Sequence, residues 1–331
     1  MSTADDRRWL AAAARLAGRA RPMSRPNPGV GAVLVRDGRV VGRGWTGDGG
    51  RPHAEAVALD AAGRAAVGAT LYVTLEPCAH VSARGPACAD LVAVSGVARV
   101  VIGCGDPDPR TAGAGIARLR SAGIVTDQID CPHSRTSLAG YLTQRTLGRP
   151  HVTLKLALSL DGCIALANGE SQWITGPEAR AHTHAMRAQT EAIVVGGGTL
   201  RADAPRLDVR LPGLEQQSPE RFVLTRGVAP KGWRALPSPT AIHHLADLQY
   251  LFVEGGAGAA SAFLHDDLVD RLLLYRAPIV IGGGRAGIGD IGLDRLADAH
   301  HRWHHTDRRT LGNDTLDVYD RIPCSPASSQ R

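Results

Sequence analysis

Pro52-His53-Ala54-Glu55, followed by Thr74-Leu75-Glu76-Pro77-Cys78-Ala79-His80 and then Cys88, decides how the first half of this chain folds and what it holds. The stretch supplies an imidazole, two thiols and a carboxylate beside the imidazole. That is the donor set of a catalytic zinc site, with three protein ligands, a fourth position open to water and an acid/base alongside. Singly, each of these residues reads as an ordinary core or surface residue, but the set in this order points to a metal. His80, two residues after Cys78, competes with Cys88 for the third ligand position, and the residues alone leave that choice open.

Working outward, Thr70 to Leu75 reads as a buried strand, β-branched and aromatic and entered from a glycine-containing turn. Pro77 suits the first turn of a helix, which would set Cys78 at a helix start, where the dipole favours a thiolate. His53 opens an Ala-rich stretch, Ala54 to Ala62, expected to be helical. Around these lie a helix near Asp6 to Arg19 and a hairpin (Val30 to Val35, the turn Asp37-Gly38, Val40 to Gly44). A helix from Cys88 to Val94, a strand from Val97 to Gly103, a helix at Gly115 to Ser121 and a strand at Ile124 to Thr126 complete an alternating α/β half.

The 331 residues are enough for two domains, and 44% apolar with 21% charged is a globular balance. Aromatics make up only 4%, so the core is aliphatic. A formal charge of +6 favours anionic partners; the basic residues are scattered, which suits a phosphorylated small molecule better than nucleic acid. Of six cysteines, Cys104, Cys131, Cys163 and Cys324 show no paired framework, consistent with a reducing cytoplasm. Asp5-Asp6-Arg7-Arg8 is unlike a signal peptide, and no apolar run reaches the roughly 20 residues that span a bilayer.

A boundary is expected at Gly148-Arg149-Pro150, giving domains 1–148 and 149–322 and a disordered tail over 323–331. Beyond it, Val152 to Ala157 reads as a new strand. Three apolar strands are then expected to run into glycines: Ala192 to Val195 into Gly196-Gly197-Gly198, Tyr250 to Val253 into Glu254-Gly255-Gly256, and Ile279 to Ile281 into Gly282-Gly283-Gly284. A strand, a glycine turn and a helix from Ala257 to Leu264 would cradle a pyrophosphate with backbone N–H groups. No G-x-G-x-x-G opens this half, so a standard Rossmann entry is excluded.

The first half resembles zinc-dependent deaminases of the H-x-E…P-C-x-x-C pattern, with nine residues between the cysteines instead of two. Taken whole, the chain resembles the bifunctional deaminase–reductase family of riboflavin biosynthesis. Pro26-Asn27-Pro28-Gly29-Val30-Gly31, the two stretches quoted first, Asp106-Pro107, Ser159-Leu160-Asp161-Gly162, Gly169 to Thr175, Thr199 to Asp203 and Val253-Glu254-Gly255-Gly256 carry the likeness. It implies an α/β protein: a cytidine deaminase-like α/β/α sandwich followed by a dihydrofolate reductase-like α/β domain. One Zn2+ and NADPH are the implied cofactors, a phosphorylated aminopyrimidine the implied substrate, and self-association is implied.

By the same resemblance His53, Cys78 and Cys88 bind zinc and Glu55 carries the proton. Asn27, His80, Arg84 and Asp106 contact the deaminase substrate; Lys155, Ser171, Arg187, Leu207, Arg210 and Glu254 contact the reductase substrate. Ala157, Trp173, Thr199, Asp203 and Gly256, Ala257, Gly258, Ala259, Ala260, Ser261 and Ala262 contact the cofactor. Arg226, after the strand Phe222 to Thr225, is a candidate for the cofactor's 2′-phosphate. The chain departs from the pattern at Thr46, where the family has His, at Asp108, where it has Asn, by one extra residue between His80 and Arg84, and by a short segment between Arg210 and Glu254. An anionic Asp108 would repel a phosphorylated substrate unless it points away. Alternatives are a paralogue with one active half or a related aminopyrimidine substrate, and a nucleic-acid deaminase, which leaves the second half unexplained.

Overall fold

Each half builds its own sheet. A computed structural model describes residues 3–80 and 82–322 and divides the chain into units of residues 1–149 and 150–331. The tail expected over 323–331 lies outside the described residues. In the first unit, α1 (Thr3–Ala17) precedes the hairpin β1 (Gly31–Arg36) and β2 (Arg39–Trp45). Then come α2 (Ala54–Ala62), β3 (Thr70–Val73), α3 (Cys88–Ala93), β4 (Arg99–Ile102), α4 (Ala114–Ser121), β5 (Val125–Gln128), α5 (Pro132–Ser137) and α6 (Ala139–Leu147). The sheet order is β2-β1-β3-β4-β5, with β3, β4 and β5 parallel and β1 antiparallel to both its neighbours.

Alternate residues of these strands face two cores, as a two-residue period requires. Leu34, Leu71, Val73, Val100 and Ile102 pack with Ala58, Val92 and Leu119 of the helices on one side. Val33, Tyr72 and Val101 pack with Leu10 and Ala13 on the other. The result is a three-layer α/β/α sandwich. On the α1 face, Asp6 accepts from the Tyr72 hydroxyl and pairs with Arg99, so its burial is compensated.

The second unit runs β6 (His151–Leu158), β7 (Cys163–Ala165), α7 (Pro177–Arg187), β8 (Ala192–Gly196), α8 (Gly197–Asp203), β9 (Glu220–Leu224), β10 (Arg234–Leu236) and β11 (Tyr250–Glu254). It continues with α9 (Ala257–His265), β12 (Arg271–Arg276), β13 (Arg285–Ala286), β14 (Trp303–Leu311) and β15 (Asp314–Arg321). An eight-stranded sheet has the order β10-β9-β8-β11-β6-β12-β15-β14; the first six strands are parallel and the last two antiparallel. Between Arg210 and β11 the chain makes two strands and two 3-10 turns, at Glu215–Gln217 and Pro239–His244, with no α-helix among the described residues.

Two local expectations fail. Pro77 and Cys78 lie in a loop, and the helix starts ten residues later, at Cys88. Glu76 explains the loop: its carboxylate accepts the Gly113 and Ile116 N–H groups at 3.0 and 3.1 Å, so this segment caps α4 instead of starting a helix of its own. Ile279 to Ile281 is not a strand either. The Asp161 carboxylate takes the Ile281 and Gly282 N–H groups, which leaves those amides unavailable to a ladder; the neighbouring strand is β12. No described helix is long and apolar enough to cross a membrane.

Candidate active sites

Close backbone approach sets the first site. A Cβ on Gly44 would lie 2.4 Å from the Ala54 carbonyl oxygen and 2.7 Å from the Ala58 nitrogen, so only glycine lets β2 meet α2 this tightly. The contact fixes the first turn of α2, with His53 as the residue before it and Glu55 on its inner face. His53 Nδ1 lies 3.1 Å from Cys88 Sγ and 3.5 Å from Cys78 Sγ, while Nε2 faces the Asn27 amide at 3.2 Å. The imidazole and the two sulfurs all lie within 4.8 Å of one another, and this is the one such group among the described residues. His80 is not in it: its Nδ1 faces Thr111 Oγ1 at 3.5 Å.

The donor set fits zinc. One nitrogen and two sulfurs converge, and both sulfurs are buried free thiols. The Cys88 thiol and backbone N–H both point at Cys78 Sγ, which lowers the pKa of the Cys78 thiol and raises that of Cys88. That favours the thiolate at Cys78, the form that binds metal. Glu55, only 4% exposed, has its pKa raised by burial.

Beside the triad is a cleft of about 230 Å³ lined by His53, Glu55 and Cys78, and also by Asn27, His80, Arg84 and Asp106. All four residues expected at the deaminase substrate therefore come together. Buried Thr46 lies in the same wall, its hydroxyl accepting the Val30 N–H at 2.9 Å. Asp108 points at two cations: Arg110 Nη2 at 2.6 Å and Arg145 Nη2 at 3.0 Å. Its repulsion of an anion is thereby cancelled, and hydrogen bonding from Arg110 depresses its pKa. Sequence reasoning missed Arg110, Tyr141 and Arg145. The signal was there for the last two, one helical turn apart on α6.

In the second unit a cleft of about 750 Å³ opens at the carboxyl ends of β8, β11 and β6, the usual ligand position of a parallel sheet. Lys155, Ser171, Arg187, Leu207, Arg210 and Glu254 line it, as do Ala157, Trp173, Thr199, Asp203, Gly256, Ala257, Gly258 and Ala259. Ala260, Ser261 and Ala262 do not. The helical turn carries them away, Ala260 into the core and Ser261 to the Gly289 N–H at 2.7 Å. Exposed Arg226 is not part of the lining either.

Glu254, its side chain 15% exposed, accepts Arg187 Nε at 2.8 Å and Nη2 at 2.9 Å, and Lys155 Nζ at 3.3 Å. Burial pushes this carboxyl up, but the two cations outweigh it and hold it at about 2. Arg187 also donates to the Asp208 carbonyl, so most of its donors are committed within the protein, whereas Arg210 is more exposed. Sequence reasoning missed His184. Burial and then Arg187 and Arg210 lower its pKa where it lines the cleft. The cleft fits a nicotinamide dinucleotide on the chain's own evidence. Trp173 is an exposed aromatic on its wall, and a Cβ on Gly258 would meet nothing within 4 Å, which leaves the first turn of α9 uncovered.

Fold and sites together define a zinc-dependent deaminase unit joined in one chain to an α/β reductase unit. The family models agree: "Cytidine and deoxycytidylate deaminase zinc-binding region" matches residues 3–104 and "RibD C-terminal domain" residues 150–316. The riboflavin biosynthesis protein RibD of Escherichia coli K12 is 38% identical, over 89% of this chain and 94% of its own. The solved structure of Acinetobacter baumannii RibD superposes with a TM-score of 0.84 at 34% identity, over 97% of this chain and 100% of its own. A Thermotoga maritima protein described as a diaminohydroxyphosphoribosylaminopyrimidine deaminase/5-amino-6-(5-phosphoribosylamino)uracil reductase gives 0.82 at 29%, over 96% and 99%. The chain belongs to the RibD family.

Proposed function

We propose that the chain performs two steps of riboflavin biosynthesis. The first unit hydrolyses the amino group from 2,5-diamino-6-(5-phosphoribosylamino)pyrimidin-4-one, releasing ammonia. The second reduces the ribosyl side chain of the product to ribityl. The observation that carries this reading is the His53–Cys78–Cys88 cluster with buried Glu55 beside it, in one chain with a RibD-type reductase cleft.

His53, Cys78 and Cys88 would hold Zn2+, which acidifies a bound water to a pKa of about 7. Glu55 would pass one proton of that water to the ring nitrogen and the other to the departing amino group, which leaves as ammonia while the oxygen stays as the ring carbonyl. Its raised pKa suits a group that must both accept and give a proton near neutrality. Asn27, His80, Arg84 and Asp106, which line the same cleft as Glu55, would hold the substrate. In the second unit NADPH supplies the hydride. Trp173, Thr199, Asp203 and the first turn of α9, Gly256 to Ala259, are placed to bind it. Lys155, Ser171, Arg187, Leu207, Arg210 and Glu254 are placed to hold the sugar phosphate, and the ion-paired Lys155–Glu254–Arg187 group keeps its charges fixed there. Self-association and a cytoplasmic location belong to the same reading and rest on family likeness; light scattering of the purified chain reads the first.

The test is stepwise. Purified protein given the phosphoribosyl diaminopyrimidinone should release ammonia without NADPH, then oxidise NADPH on the product. Ammonia release with no NADPH oxidation would leave a single-activity paralogue; no ammonia from zinc-loaded protein would overturn the deaminase assignment.

A further inference from the structure

We propose that Arg110 and Arg145, both locked onto the buried carboxylate of Asp108, form the wall of the deaminase cleft that recognises the substrate's phosphate. This rests on the deaminase reading above and adds the residues that select a phosphorylated substrate. Asp108 is 4% exposed, yet it accepts the Arg110 backbone N–H at 3.0 Å, Arg110 Nε at 3.0 and 3.2 Å and Arg110 Nη2 at 2.6 Å, and it forms an ion pair with Arg145 Nη2 at 3.0 Å. Its own N–H donates to Asp106 Oδ1 at 2.9 Å. Two guanidinium groups against one carboxylate leave a net positive charge, and both groups line the cleft that holds His53 and Glu55.

Each guanidinium carries five N–H donors. The contacts to Asp108 use two of Arg110's and one of Arg145's, so both keep donors for a second anion. Their side chains are 61% and 38% exposed while Asp108 is nearly closed off, so the free donors are the solvent-facing ones. Arginine is normally ordered at a cost in rotamer freedom, and here folding has already met that cost. Arg145 is steadied further by the Tyr141 ring, 5.5 Å from its guanidinium carbon. Arg84 and Arg51, elsewhere in the lining, are tied only to backbone carbonyls, of Gly49 and Pro86.

The experiment compares kcat/KM for ammonia release from the phosphoribosyl diaminopyrimidinone and from its dephosphorylated ribosyl counterpart, using zinc-loaded full-length chain. Arg145→Met and Arg110→Met should each cut the preference for the phosphorylated compound roughly 10- to 100-fold, the range of a charge-assisted hydrogen bond, with the loss in KM. Asp108→Asn separates positioning from bulk charge. It adds a positive charge to the cleft but releases both arginines, so the preference should fall. A preference that rose in Asp108→Asn, or that was lost in Arg84→Met while surviving in both other arginine variants, would overturn the proposal. Wild-type chain that released no ammonia from either compound would instead sink the underlying deaminase reading. The arginine variants change exposed groups, so folding does not confound them.

Discussion

Buried Glu55 and largely buried Glu254 are carboxylates, one in each unit, and their surroundings push them in opposite directions. No salt bridge pairs Glu55 with a cation among the described residues; burial raises its pKa beside two sulfurs and an imidazole. Glu254 sits between Lys155 and Arg187 and is held at about 2. One environment makes a proton carrier and the other a fixed charge, from the same side chain. The same contrast extends to the clefts. The first is small and walled by ionisable side chains, the second about three times larger and walled partly by glycine backbone.

The largest effect should come from Glu55→Gln. Removing the proton carrier should slow ammonia release by about 10²- to 10⁴-fold. Zinc content should persist, because Glu55 is not one of the three clustered donors. NADPH oxidation on authentic deaminated product should also persist. Both can be read in one preparation, by metal analysis and by absorbance. Ammonia release at the wild-type rate would end the contrast, since Glu55 would then be as static as Glu254.

Glu254→Gln should act on stability first. It leaves Lys155 and Arg187 buried together without their counter-charge, a loss of roughly 3–5 kcal/mol for an uncompensated buried ion. The folded-state pKa of about 2 lies below the ordinary 4.5, so the carboxylate's contribution is complete above pH 4.5 and is lost as pH falls toward 2. Thermal unfolding of the two proteins should therefore differ most near neutrality and converge in that acid window. A difference independent of pH would mean that Glu254 contributes by packing.

How much of this was legible varies with how local the signal is. His53, Glu55 and Cys78 were readable because each comes with a motif neighbour, whereas Cys88, ten residues beyond Cys78 and in competition with His80, was fixed only by the family resemblance. The helix expected at Pro77 failed because Glu76 spends its carboxylate on amides 37 and 40 residues away, which no local pattern encodes. The three-glycine run after Ile281 misled for a similar reason, since Asp161 ties it from 120 residues upstream. β15 carried a usable alternation, Leu316, Val318 and their polar neighbours. β14 did not, because an edge strand with Trp303 to Arg309 largely exposed has no apolar face to announce it. Arg145 was hidden differently: its importance depends on Asp108, and the pair meets only through the fold.

A single added methyl should sharpen the comparison at lower cost. Gly44→Ala drives a Cβ into the α2 backbone, so α2 must shift, at about 1–3 kcal/mol, and should carry His53 and Glu55 with it. Lower thermal stability and weaker zinc retention are expected together. Gly258→Ala places its Cβ in open space on a helix, where alanine should add about 0.5–1 kcal/mol. Its penalty should fall instead on KM for NADPH; an unchanged KM would remove the first turn of α9 from the cofactor site.

Tyr141→Phe should give the smallest effect and tests how the first cleft is braced. The Tyr141 hydroxyl donates to Asp106 Oδ1 at 2.7 Å, tying α6 to the loop that carries Asp108 and Arg110. Asp106 is half-buried and its pKa is raised by desolvation, so it needs its remaining donors, and the Asp108 N–H survives the substitution. Losing one of two such bonds costs about 1 kcal/mol, or roughly fivefold, and it should appear in KM for the aminopyrimidine, since no proton in the reaction passes through Tyr141. A fall in kcat of a hundredfold with KM unchanged would instead put Asp106 in the proton path with Glu55. The cleft would then contain two working carboxylates, and its contrast with the static Glu254 would be larger than the structure implies.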